Sequence, residues 1–179
     1  MKNKFIEIFK ANIKREGSDK LLAWLEKSDF FTAPASTKYH AAYEGGLVEH
    51  SINVFERLQC ENPETKAICG LLHDVCKVNF YKTDFKNVKN EQTGVWEKAP
   101  YYTIEEKFPY GHGEKSVYII SKFVTLTDEE AMAINWHMGG FDDRVKGGSY
   151  ALSAVFEKYP LALNLHIADL QATYLDERR

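Results

Sequence analysis

The sequence predicts an all-α protein, a helical bundle with one β-hairpin inserted at about residues 80–110. Apolar residues recur at helical spacing over most of the chain. Two pairs of such segments are joined by short turns, which predicts two antiparallel helix hairpins. Between them lies a stretch where alternating residues and turn formers replace the helical period. With 179 residues, 44% hydrophobic and 27% charged, residues 1–179 read as a single domain with a real core. No apolar run approaches the roughly 20 residues that span a bilayer, and the start, Met1-Lys-Asn-Lys-Phe, holds no signal-peptide core. With three cysteines in no framework spacing, a reducing, cytoplasmic location is expected. A net charge of −3 argues against bulk nucleic-acid binding, while leaving room for a local basic groove.

In chain order, Phe5, Ile6, Phe9 and Ile13 predict a first amphipathic helix over Lys2 to Arg15. Ser18 is the expected N-cap of the second, with apolar Leu21, Leu22, Trp24 and Leu25. From Phe30 to Gly46 periodicity fades into an irregular segment carrying Tyr39, His40, Tyr43 and Glu44, which either lines a pocket or packs on itself. A third helix follows to about Cys60, with His50 on the stripe Leu47, Val54, Leu58. A fourth begins near Pro63 and runs through His73 to about Lys77. His50 lies as far before the turn as His73 lies after it, so folding antiparallel brings the two imidazoles level at the open end.

Downstream the arithmetic repeats. A helix from Gly111-His112 and one opening at Thr127, with Glu130 completing a capping box and Gly139-Gly140 as the stop, bring His112 and His137 level in the same way. In the middle, Tyr81 to Val88 and Val95 to Ile104 flank Asn90-Glu-Gln-Thr-Gly94 as a hairpin. Its lysines 82, 86, 89 and 98 read as a solvated face, and the hairpin itself as a possible flap. The last helices are expected from Tyr150 to Tyr159 and from Leu161 to about Asp176, the final one with Leu163, Ile167, Leu170 and Tyr174 as its apolar face and Asp169 beside it.

The chemistry sits in Cys69-Gly-Leu-Leu-His73-Asp74-Val-Cys76-Lys77. An ionised carboxylate in an apolar run requires a cation against it, and Asp74 and Asp169 both pose that requirement. His73 offers a metal-favoured nitrogen and Lys77 a positive charge within a helical turn, a combination suited to phosphate chemistry. Cys69 and Cys76 read as small packing residues rather than soft ligands, and His166 as a core residue or a support behind the ligands. The loop Gly139 to Gly148, with Arg144 and Lys146, is either a substrate loop or a plain connection.

In order, His50, His73-Asp74, His112, His137 and Asp169 form the pattern H…HD…H…H…D. With the phrases Gly45-Gly-Leu-Val-Glu-His50, Leu71-Leu-His-Asp-Val-Cys-Lys77 and Ala168-Asp169, this resembles the HD-domain superfamily of metal-dependent phosphohydrolases over roughly Tyr39 to Thr173. The first phrase, preceded by Tyr39-His40, is especially similar to the HD part of bacterial 3′-to-5′ exoribonucleases, although 179 residues leave no length for their separate OB domain. The glycine-tyrosine-proline signature of cyclic-di-GMP phosphodiesterases is absent. The resemblance implies an HD helical bundle in which His50, His73, Asp74 and Asp169 hold one metal. In two-metal members, the positions of His112 and His137 hold a second, with Asp74 bridging. It further implies a metal-activated hydroxide attacking a nucleotide or short-oligonucleotide phosphate ester, with Lys77 on the phosphate and His40 steadying the substrate. One ion, with His112 and His137 as phosphate donors or acid-base groups, stays open beside two. Imidazole-rich ligation suits Mn²⁺, Fe²⁺, Co²⁺, Ni²⁺ or Zn²⁺ better than Mg²⁺, with Mn or Fe favoured. A di-iron oxygenase similar to myo-inositol oxygenase uses the same ligand order, and a non-catalytic HD signalling module is the third alternative.

Overall fold

The structure, a computed structural model, describes residues 1–177 of the chain. Within them the protein is mostly helical with one two-stranded sheet. Helix α1 (Lys2–Asn12) buries Phe5 and Phe9, and α2 (Ser18–Lys27) buries Leu21, Leu22 and Leu25. Ser18 is the first residue inside α2 rather than its cap. The cap is Gly17 at φ 87°, a left-handed conformation that glycine adopts at low cost and serine does not. The irregular segment then leads into α3 (Gly46–Arg57), which buries Leu47, His50 and Val54 along the expected stripe.

Helix α4 (Pro63–Leu72) opens with Pro63 in its first turn, where Asn62 Oδ1 accepts from the backbone N–H groups of Glu64 and Thr65. It ends earlier than the sequence suggests. His73 caps it, Asp74 leaves helical geometry at φ −107°, ψ 18°, and Val75–Lys77 form a 3-10 turn. That tightening keeps Lys77 three residues beyond Asp74 but turns its side chain back onto the carboxylate.

Strands β1 (Tyr81–Lys89) and β2 (Trp96–Ile104) pair antiparallel from Tyr81↔Ile104 to Lys89↔Trp96. At the turn, Asn90 Oδ1 accepts from Gln92 N and Thr93 N, and Gly94 takes φ 72°. The hairpin expected at 80–110 is therefore present.

The second ligand hairpin is α5 (His112–Ser121) and α6 (Asp128–Trp136), the latter started by the Thr127/Glu130 capping box. Short α7 (Asp143–Lys146), α8 (Ala151–Lys158) and α9 (Pro160–Gln171) follow, and a π-helical turn at Ala172–Asp176 leads to Glu177. The buried face of α9 is Leu161, Ala162, Leu165 and Ala168, continued by Ala172, while Leu163, Ile167 and Tyr174 are exposed. This corrects the expected face. The helix is apolar almost all round, so periodicity offers two stripes, and the one with small residues allows the closer approach to α6 and α3.

Two glycines explain why each ligand hairpin is tight at its histidine end. A Cβ on Gly70 would come 2.5 Å from Phe55 Cα in α3, and one on Gly113 would come 2.2 Å from Asn135 O in α6. Backbone contact this close draws α3 to α4 and α5 to α6. One contiguous core joins all four helices with α1, α2 and α9. No helix among the described residues is long and apolar enough to cross a membrane.

Candidate metal centre

Asp74 is 2% exposed and sits at the centre of the cluster. Its Oδ2 lies 3.5 Å from His50 Nε2 and 3.6 Å from His73 Nε2, and its Oδ1 lies 2.8 Å from His112 Nε2 and 3.5 Å from His137 Nε2. His50 Nε2 and His73 Nε2 are 3.1 Å apart. One carboxylate therefore faces a separate imidazole pair with each oxygen. The open ends of the two helix hairpins meet there, as the counting from their turns predicts. Asp169, from α9, brings Oδ1 to 3.2 Å from His50 Nε2.

The far nitrogens of the rings are spoken for. His73 Nδ1 donates to Gly70 O at 3.0 Å and His137 Nδ1 donates to Ile134 O at 2.7 Å. Each carbonyl accepts only, which puts the proton on Nδ1 and leaves the Nε2 lone pair aimed inward. His50 Nδ1 meets Glu177 Oε1 at 2.8 Å. Glu177 was not found by sequence reasoning. It reaches His50 because the π-helical turn redirects the chain after α9 and because Asp176, one residue earlier, pairs with Arg57 of α3. A carboxylate behind a ligand imidazole is the usual way to orient such a ring and raise its basicity.

Burial opposes charge throughout the cluster, so its partners decide each proton. His73 is pushed down to about 3 by burial. His40 falls to about 4, by burial and then by the charges of His50 and Lys77. His50 is raised to about 10, its burial outweighed by Asp169 and Glu177. His112 also rises to about 10, its burial outweighed by Cys76 and Asp74. Asp74 stays far below its ordinary value despite burial, held by Lys77 and the surrounding rings.

Lys77 Nζ is 2.6 Å from Asp74 Oδ2, so its charge is fixed at the cluster. His40 packs its ring 5.1 Å from that of His50, on the side shared with Glu177, and its Nε2 is buried without a hydrogen-bond partner. Cys76 is more than packing, since its Sγ lies 3.5 Å from His112 Nδ1. Cys69 is a core residue, as expected. His166 donates from Nδ1 to His137 O at 2.7 Å and so supports the turn that carries His137, from outside the cluster. Arg144 is absorbed by Asp142, Glu114, the Asn135 carbonyl and the face of Trp136, which makes the segment after His137 a braced connection.

A divalent cation fits these donors. His137 Nε2 is a buried acceptor with no hydrogen-bond partner, 3.5 Å from an ionised carboxylate oxygen. Metal–ligand bonds of about 2.0–2.2 Å set neighbouring ligand atoms roughly 3 Å apart, the range in which the nitrogens and oxygens here lie. The ligand atoms of His50, His73 and Asp74 fall within 4.8 Å of one another, as do those of Asp74, His112 and His137. No family model, curated protein or solved structure matches the chain. The site is thus defined by its own geometry, a buried His/Asp cluster compatible with one or more metal ions in a helical protein.

Proposed function

We propose that the chain is a metal-dependent phosphohydrolase of the HD type, acting on a phosphate ester of a nucleotide or short oligonucleotide. The observation that supports this most is the double use of Asp74, whose Oδ1 and Oδ2 each face their own imidazole pair. A structural ion needs one closed set of ligands. A carboxylate shared between two sets suits a pair of ions, with His50, His73, Asp74 and Asp169 holding one and Asp74, His112 and His137 the other. Imidazole-rich ligation suits Mn²⁺, Fe²⁺, Co²⁺, Ni²⁺ or Zn²⁺ better than Mg²⁺, and of these we favour Mn or Fe. When bound, such ions supply a nucleophile from water at neutral pH and polarise the phosphoryl group.

The chain's own residues do the rest. Glu177 and the Gly70 and Ile134 carbonyls hold three of the imidazoles in a single orientation. Lys77 places an ammonium beside Asp74, where it attracts a substrate phosphate and offsets charge that grows as the ester bond breaks. The neutral His40 ring, stacked near His50, is placed to donate to or accept from the substrate. His50, His73, Asp74 and His137 are buried, which strengthens the electrostatic interactions among them.

The test is hydrolysis of bis-p-nitrophenyl phosphate by the chelated protein reloaded with Mn²⁺, Fe²⁺, Co²⁺, Ni²⁺ or Zn²⁺, followed by a nucleotide screen. Release of p-nitrophenol that requires the metal and is lost in Asp74→Asn supports the reading. Iron-dependent oxygen consumption with no hydrolysis under any ion overturns it in favour of an oxygenase.

A further inference from the structure

We propose that the β1–β2 hairpin is an arm that binds single-stranded nucleic acid and leads its end to the metal centre. The delivery step rests on the phosphohydrolase reading, whereas the binding step does not.

The strand register sorts the hairpin's residues by face, because alternate residues point to opposite sides. One face carries Tyr81, Thr83, Phe85, Asn87 and Lys89, with Ile104, Tyr102, Pro100, Lys98 and Trp96 opposite them. No acidic residue lies on it. Both acidic residues of the strands, Asp84 and Glu97, fall on the other face, where Lys82 and Lys86 accompany them and Lys86 sits 5.5 Å over the Tyr101 ring. Charge is therefore segregated across a hairpin whose sequence alone shows only a mixture.

The acid-free face is also aromatic and open to water. Phe85 is 61% and Trp96 66% exposed, an unfavourable way to leave two large rings unless something covers them. The order along the face matters. Tyr81, at the base, donates its hydroxyl to Ala35 O at 3.1 Å and lies within electrostatic reach of Lys77, which itself holds Asp74. Tyr102 and Phe85 follow, then Lys98, and the cross-strand pair Lys89 and Trp96 ends the face beside the turn. Nine residues of strand span roughly 30 Å, enough for several nucleotides.

Aromatic rings interleaved with cations, free of repelling carboxylates, match what a single strand offers. Its bases stack on rings whatever their identity, and its phosphates pair with lysines. A duplex hides its base faces and does not fit. The track begins at a site whose chemistry is the cleavage of phosphate esters, which makes a strand entering by its end the natural occupant. A second copy of the chain, pairing arm to arm, is the competing occupant.

The experiment uses the whole chain with EDTA present, so that no cleavage occurs. Anisotropy of a fluorescein-labelled ten-nucleotide oligodeoxythymidylate is titrated with wild type, Phe85→Ala/Trp96→Ala and Lys89→Glu/Lys98→Glu. The expected result is binding by wild type, at least tenfold weaker binding by the aromatic variant, and weaker binding with a shallower salt dependence for the charge variant. All four side chains are at the surface, so the fold survives, and metal-dependent hydrolysis of bis-p-nitrophenyl phosphate reads the centre separately. No oligonucleotide binding by wild type, or equal binding by the variants, overturns the arm even if the small ester is hydrolysed. A dimer in sedimentation that dissociates in the aromatic variant overturns it in favour of self-association. Oligonucleotide binding that follows the variants, with no ester hydrolysed under any ion, sinks the phosphohydrolase reading and leaves the arm standing.

Discussion

Glu130 and Asp74 are the two most deeply buried carboxylates among the described residues, and their surroundings differ in kind. Glu130 is fully buried and closed: Arg15 reaches it with two N–H groups at 2.7 and 2.9 Å, Thr65 donates its hydroxyl at 2.8 Å and Thr127 its backbone N–H at 2.9 Å. Every partner is a donor, and the charge is matched within the protein. Asp74 is equally buried, but apart from Lys77 its neighbours are four imidazoles, two of which turn lone pairs rather than protons toward it. The first arrangement ties the segment after α1 to α4 and α6. The second leaves buried lone pairs turned inward, an arrangement compatible with a metal ion. Burial alone does not mark a functional charge; the sign and direction of its partners do.

That contrast can be broken from either side. Asp74→Asn removes the shared oxygen charge, and metal-dependent ester hydrolysis should fall to background while the circular dichroism of the chain is kept. Glu130→Ala takes from the half-buried Arg15 its shortest ion pair, leaving it Glu64 and the Thr125 carbonyl, and should lower stability by about 1–3 kcal/mol in urea unfolding, with metal content per folded chain unchanged. The pH dependence should differ too. Burial raises the Glu130 carboxyl, but Arg15 and Thr127 bring it below its ordinary 4.5, so its contribution is present above that pH and fades as pH falls through the depressed value. Glu130→Gln should flatten the acid limb of the stability curve.

Smaller effects sharpen the comparison. Glu177→Gln should weaken metal binding by about 10–100-fold, as a support behind a ligand does, read by competition with a chromogenic chelator. His50 and His112, both raised to about 10, hold extra protons in the metal-free chain. Their contribution to metal-free stability is full below the ordinary 6.5 and is lost as pH rises through about 10. Metal must displace those protons, so affinity should rise across the same window, with proton release visible by calorimetry in buffers of different ionisation enthalpy.

Much of the fold was legible because spacing and caps are local. The His50/His73 and His112/His137 pairs follow from counting residues from each turn, and the Thr127/Glu130 box and the Asn90–Gly94 turn are as their residues demand. What sequence could not supply was choice among long-range partners. Arg15 meets Glu130 across 115 positions, with no local trace of the pairing. The face of α9 could not be chosen because both stripes are apolar. Glu177 lies beyond the last motif phrase, at the end of a π-helical turn that no periodicity announces. An acidic residue just past the final ligand helix was its only signal.

The most direct test is metal content per chain, measured by plasma mass spectrometry on protein purified without chelator, for wild type and His112→Ala. The bridged arrangement at Asp74 predicts close to two ions in wild type and close to one in the variant, with hydrolysis lost. One ion in both proteins would contradict it, because the imidazole pair facing Asp74 Oδ1 would then hold no metal of its own.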